Sequence, residues 1–151
     1  MDPVRWRYEP FARLTVAELY RILVLRQRVF VVEQKCAYLD ADGIDPACHH
    51  LFKEGQGREP VAYLRVVPPR VKYAEPSLGR IVTAPEVRRS GLGRALVVEG
   101  LERARAAFGE VPIRIGAQKY LERFYGSLGF VRASEDYLED DIPHLEMLLE
   151  R

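Results

Sequence analysis

The chain has 151 residues, of which 48% are hydrophobic and 30% charged, with a formal net charge of +1. That length supports one domain with its own core, read here as residues 1–151, and the near-neutral balance gives no bulk electrostatic case for nucleic acid. No apolar run approaches the roughly 18 residues of a membrane span, and MDPVRWRYEP has no apolar core of signal-peptide type. Two cysteines, Cys36 and Cys48, are too few for a disulfide framework, so a reduced cytoplasmic setting is expected, with no nucleic acid and no membrane among the partners.

Residues 15 to about 34 predict a helix. Thr15 and Glu18 form a capping box, and Val16, Leu19, Leu23 and Phe30 recur on one face at helical spacing. Residues 36–46 are turn-rich and acidic. His50 to Lys53 and Val61 to Val67 predict paired strands, the second ended by Pro68-Pro69. Leu78 to Thr83 predicts the next strand, and Gly91 to Phe108 a helix with Val97, Leu101, Ala104 and Phe108 on its apolar face. Val111 to Gly116 predicts a strand, Lys119 to Leu128 a helix stopped by Gly129, and His144 to Leu149 a last strand. The strand–helix–strand unit from Leu78 to Gly116 implies a parallel pair and the front hairpin an antiparallel one, hence an α/β fold with a mixed sheet.

The turn Arg88-Arg89-Ser90-Gly91-Leu92-Gly93 feeds directly into the second long helix. Such a turn aims free backbone N–H groups and the positive end of the helix dipole at one spot, which suits a phosphate or pyrophosphate. Small residues at Ser90, Gly91 and Gly93 let the anion come close to the backbone. A Walker loop needs Lys and then Ser or Thr after its second glycine, but Gly93 is followed by Arg94-Ala95. A dinucleotide fingerprint needs a small residue at the position of Leu96. What remains is Arg-x-x-Gly-x-Gly between a strand and a helix.

This pattern resembles the acetyl-CoA pyrophosphate loop of the GCN5-related N-acetyltransferases (GNAT). Phe124-Tyr125 and Gly129-Phe130 stand where that family carries its second signature, with Gln118 in the place usually held by Asn, seven residues before the Tyr. Leu25-Arg26, residues 29–34, Cys36, Tyr38, Asp40, Asp42-Gly43, His50-Leu51, Gly79-Arg80-Ile81 and Ile142-Pro143-His144 resemble the ElaA-like branch. The resemblance implies a GNAT fold: a mixed, mostly antiparallel sheet whose central parallel strand pair splays apart, flanked by helices. It implies acetyl-CoA as acyl-donor cosubstrate, with no metal, and a small-molecule or protein amine as acceptor. A monomer or homodimer is expected. The pantetheine arm would lie along the backbone of Ile81, Val82 and Thr83. The phosphates would meet Arg88, Arg89, Ser90, Gly91, Leu92, Gly93 and Arg94, and Gln118 and Tyr125 would complete the cofactor contacts.

Amine attack on a thioester has three needs. The amine must lose a proton, since at a pKa near 10 only about one molecule in a thousand is neutral at pH 7. The oxyanion needs a donor, for which the Val82 backbone N–H is the candidate, and the departing thiolate needs an acid, for which Tyr125 is the candidate. Glu33, either a buried carboxylate with a raised pKa or a solvated residue at the helix end, and His50 are candidate bases, with His144 a further imidazole. Asp40, Asp42 and Asp45 in one loop, and the acidic run from Glu135 to Asp141 in another, would attract a cationic amine if both rim the thioester end. Cys36, Cys48, His49 and His50 lack the paired close spacing of a zinc site. The alternative to an enzyme is a non-catalytic acyl-CoA-binding sensor or protein-interaction module.

Overall fold

A computed structural model of the chain describes residues 5–150. The first four residues of the segment read for a signal peptide, and the terminal Arg151, lie outside the described residues. Strand β1 (Arg7–Pro10) precedes helix α1 (Val16–Arg26), followed by β2 (His49–Glu54), β3 (Pro60–Val67) and β4 (Ser77–Thr83). Then come α2 (Leu92–Phe108), β5 (Ile113–Gln118), α3 (Glu122–Gly126), β6 (Val131–Arg132), β7 (Tyr137–Glu139) and β8 (Ile142–Leu149).

The strands form two four-stranded antiparallel sheets. One runs β1-β2-β3-β4; the other runs β5-β8-β6, with β7 also paired to β8. The parallel pair expected between β4 and β5 forms no ladder. At the start of the two strands the Arg114 N–H donates to the Pro76 carbonyl at 3.1 Å, and beyond that bond the strands separate. The sheets therefore part like the sides of a wedge, with the opening between β4 and β5.

Strand alternation splits the core in two. Leu51, Ala62, Leu64, Val66 and Leu78 face α2 and join the core of the second sheet. Phe52, Tyr63 and Val82 face α1 and pack on Ile22, Leu25 and Val29. Close approach of α2 depends on Gly100, where a Cβ would lie 2.8 Å from Leu64 Cδ2.

The Thr15–Glu18 capping box forms as expected, but the buried stripe of α1 is Ile22, Leu25 and Arg26, continued by Val29. The stripe read as Val16, Leu19, Leu23 and Phe30 is rotated from this face, and Val16 is 87% exposed. The helix is also not uniform. After Arg26 it widens into a π-helical segment, Gln27–Glu33, closed by five-residue bonds from Gln34 N–H to the Val29 carbonyl and from Cys36 N–H to the Val31 carbonyl. β-Branched Val29, Val31 and Val32 weaken its α preference. The wider turn aims Val29, Phe30, Glu33 and Gln34 at the opening between the sheets. Strands β1, β6 and β7 are additions to the expected elements; Pro10 in β1 sits on an edge strand, where a missing N–H is tolerated.

Candidate active site

A cleft of about 960 Å³ fills the wedge. Its walls include Ile81, Val82 and Thr83 of β4, Gly116, Ala117 and Gln118 of β5, and Tyr125 of α3. On its β5 side β4 has no ladder partner past Pro76, so its backbone donors and acceptors there are open to an amide-bearing ligand.

Strand β4 carries a bulge. Tyr63 pairs with Val82 and Arg65 with Gly79, so two steps on β3 match three on β4, and the surplus falls at Arg80-Ile81. Arg80 takes a left-handed backbone, φ 51°, which costs a non-glycine residue about 1–3 kcal/mol and persists only where the surroundings enforce it. Beyond the bulge the Ala84 N–H donates to the Val61 carbonyl at 2.8 Å. In an antiparallel ladder hydrogen-bonded pairs alternate, so two residues along Val82 is turned to Tyr63. On this register the Val82 N–H, the expected oxyanion donor, points at β3, and the backbone of Thr83 points away from β3.

The enforcement comes from a buried charge network. Arg26, fully buried, donates from Nε to Asp40 and from Nη1 to Asp45, both at 2.8 Å. Arg65, 1% exposed, holds Asp42 with two bonds at 2.7 and 2.9 Å and reaches Asp45 at 2.8 Å. Arg80 Nη2 donates to the Asp40 carbonyl at 3.0 Å, and its guanidinium lies over the Tyr38 ring, 5.7 Å from the centroid. Arg80 Nε lies 2.8 Å from Asp40 Oδ1, a charge contact outside hydrogen-bond alignment. Three arginines thus meet three aspartates, and the arginines hold the Asp42 and Asp45 carboxyls below their ordinary range against the opposing effect of burial. The loop of Asp40, Asp42 and Asp45, expected to attract an amine, is occupied by the protein's own arginines. Arg26, Asp40, Asp42 and Arg80 were legible as residues of the ElaA-like pattern; their mutual contact was not.

At the other end of the cleft Gly91, φ 84°, caps α2 without a side-chain bond, and the Ser90 hydroxyl donates to the Val87 carbonyl. The amides of Gly93 and Arg94 have no protein acceptor among the described residues, which is the arrangement an anion needs. Arg88, Arg89, Gly91, Gly93 and Arg94 line this end; Ser90 and Leu92 stand in the turn behind it. Arg94 is tethered to Ser127 across the cleft at 2.9 Å. These features fit an acyl-CoA: free amides and arginines for phosphates, an unpaired strand edge for the amide-bearing arm.

The expected catalytic residues separate in the structure. Tyr125, 4% exposed, lies edge-on to Phe124 and Phe130, and burial pushes its hydroxyl pKa well up, so it is a protonated donor at the cleft wall. Gln118 reaches the cleft and donates to Gln34 at 3.3 Å. Glu33 also lines it, but as an exposed carboxylate in a bidentate pair with Arg88, at 2.6 and 2.9 Å. Bonding to Arg88 lowers its pKa, the reverse of the raised value a buried base requires. His50 is a correction. It is fully buried on the α1 side of β2, outside the cleft walls, with Nε2 3.0 Å from the Asp45 carbonyl and Nδ1 2.7 Å from the Tyr63 hydroxyl. A carbonyl only accepts, so Nε2 carries the hydrogen and Nδ1 accepts from Tyr63. Burial lowers its pKa, and no lone pair remains for a substrate. His144 does line the cleft, 8% exposed, with Nδ1 2.7 Å from the Ile142 carbonyl and Nε2 3.5 Å from Glu139. Of the acidic run, Glu139 and Asp140 reach the cleft, while Asp136 pairs with Arg132 and Lys119. No group of three or more His, Cys, Asp or Glu among the described residues is placed to hold a metal ion.

The wedge, the bulged strand and the glycine turn at a helix start define an acyltransferase class. The acetyltransferase (GNAT) domain family matches residues 47–151, and the chain belongs to it. Among individual proteins, it is 41% identical to a UPF0039 protein of Schizosaccharomyces pombe over 151 residues, 99% of each chain. It is 35% identical to the protein ElaA of Escherichia coli over 148 residues, 97% of each. The crystal structure of E. coli ElaA superposes with a TM-score of 0.90 at 34% identity, covering 98% of this chain and 100% of that one. An acyl-CoA N-acyltransferase from Pseudomonas aeruginosa superposes with a TM-score of 0.89 at 40% identity, covering 95% and 98%. The fold is the GNAT acyl-CoA N-acyltransferase fold. No helix among the described residues is long and apolar enough to cross a membrane.

Proposed function

We propose that the protein is an N-acetyltransferase that moves an acetyl group from acetyl-CoA directly to an amine. The observation that carries this reading is the unpaired, bulged edge of β4 facing β5, with the protonated hydroxyl of Tyr125 at the same cleft. The donor supplies an activated thioester. The amides of Gly93 and Arg94, with Arg88 and Arg89, bind its phosphates, and the backbone of Ile81 and Thr83 holds the amide-bearing arm. A backbone N–H from the same pair stabilises the oxyanion as the carbonyl becomes tetrahedral. Tyr125 gives its proton to the departing thiolate sulfur. A cytoplasmic monomer or homodimer acting on a small-molecule or protein amine belongs to the same reading.

The test is acetyl-CoA-dependent thiol release across a panel of amines, with enzyme-only controls for Cys36 and Cys48. Tyr125→Phe should lower kcat about 100-fold and leave acetyl-CoA affinity, measured by calorimetry, unchanged. Equal turnover in the variant removes Tyr125 as the acid. A protein that binds acetyl-CoA and releases no thiol with any amine, small-molecule or protein, is a sensor, not a transferase.

A further inference from the structure

Glu33 pairs with Arg88 at the phosphate end of the cleft and His50 is engaged at both ring nitrogens outside it, so neither is placed to take the amine's proton. His144 sits differently. It lies on β8 opposite Gln118 of β5 and Tyr137 of β7, and the Tyr137 ring stacks on it with centroids 5.9 Å apart. Its Nδ1 meets the Ile142 carbonyl at 2.7 Å. Because the carbonyl only accepts, Nδ1 carries the hydrogen, so a neutral ring has its lone pair on Nε2. Facing that lone pair, 3.5 Å away, is Oε2 of Glu139, whose side chain is 52% exposed. Two acceptors with no hydrogen between them form a site for a cationic N–H donor: an ammonium can give one hydrogen to the imidazole and a second to the carboxylate.

We propose that His144 is the general base, taking the proton of the acceptor's ammonium at Nε2, and that Glu139 is the carboxylate that draws the ammonium in. This rests on the transferase reading of the same cleft. His144 Nε2 takes one proton and passes it to solvent. The nitrogen lone pair forms the C–N bond, the C–S bond breaks, and sulfur leaves with the electron pair. Tyr125 protonates the sulfur and recovers its proton, through water, from the second N–H proton lost by the nitrogen. The sum is ammonium plus acetyl-CoA giving amide, CoA thiol and one proton. Beyond Glu139, the cleft lining carries Lys72 of the β3–β4 loop, which interacts electrostatically with Glu139, and Asp140 of the β7–β8 turn. All are present equally in wild type and variants, so a difference between these reports the imidazole.

The experiment compares wild type with His144→Asn and His144→Gln, using the amine of the panel that gives the fastest thiol release. Asn keeps a donor near the place of Nδ1 for the Ile142 carbonyl and so preserves the local fold. Both variants should lose about 100-fold in kcat and keep wild-type affinity for acetyl-CoA. Glu139→Gln should raise KM for the amine with kcat little changed. Imidazole NMR of wild type should place the hydrogen of His144 on Nδ1 at neutral pH and show its Nε2 resonance moving on addition of the amine. Wild-type kcat in both variants, or a His144 ring protonated at Nε2 and paired with Glu139 at neutral pH, overturns the proposal while leaving the transferase reading intact. Absence of thiol release by wild type with every amine overturns both.

Discussion

Two sets of arginine–carboxylate pairs flank one cleft. Behind β4, Arg26 and Arg65 meet Asp40 and Asp45 in the interior, with Asp42 and Arg80 at the partly exposed edge of the same set. At the phosphate end, Arg88 holds Glu33 and Arg28 holds Glu86, all in solvent. The chemistry is the same and the consequence opposite. In the buried set each charge depends on its partner, because an uncompensated charge in the interior is costly, so the geometry is rigid and can hold Arg80 in its left-handed turn. In the exposed set water solvates either partner, so the pair opens at little cost and its arginine can exchange a carboxylate for a phosphate. Burial of the partner, more than residue type, tells a scaffolding arginine from a binding one.

The comparison breaks most visibly at Asp45, which serves both Arg26 and Arg65. Asp45→Ala takes the shared carboxylate from two buried guanidinium groups, leaving Arg26 with Asp40 and Arg65 with Asp42, and should destabilise the fold by about 3 kcal/mol, read as a shift in the urea midpoint. The bulge should fail with it, so surviving folded protein should bind acetyl-CoA poorly. Unchanged stability would show that water reaches the network.

A smaller effect follows from acid. The arginines depress the folded pKa of Asp42 and Asp45 relative to the unfolded chain. For a depressed carboxylate the stabilisation is complete above the unfolded value, about 3.9, and is lost as pH falls from there through the folded value. The urea midpoint should therefore hold steady from pH 7 to about 5 and decline below about pH 4, with a shallower decline in Asp42→Asn.

What was legible in the sequence follows the same division. The exposed end could be read because its signal is local: Gly91 and Gly93 at a helix start and the arginines before them lie within one short turn. The order of most elements also followed from periodicity and turn signals, while the fold class came with the family resemblance. The buried set was hidden because it joins residues from α1, the loop after it, β3 and β4, and because Arg26 lies on the helix face that packs inward. A pattern read by hydropathy treats an arginine as outward, which turned the apparent stripe of α1 toward Val16 and away from Ile22, Leu25 and Val29. The bulge was invisible for a related reason. The family resemblance puts the Val82 amide in the cleft, and the register beyond the surplus residue turns it toward β3. His144 looked weak beside Pro143 because only the strand register reveals that it faces the cleft.

The exposed pair yields the smallest effect and sharpens the contrast. Glu33→Gln removes the carboxylate from Arg88 but leaves both groups solvated, so stability should change by no more than about 0.5 kcal/mol. Its effect should appear in binding instead. Glu33 competes with phosphate for the same guanidinium, so the variant should bind CoA somewhat more tightly, with the gain largest at low salt, where screening is weak. Calorimetry at two salt concentrations gives the answer. Weaker CoA binding by Glu33→Gln would mean that Glu33 positions Arg88 for the phosphate and does not compete with it, and the pair would then be scaffolding like the buried set, built in water.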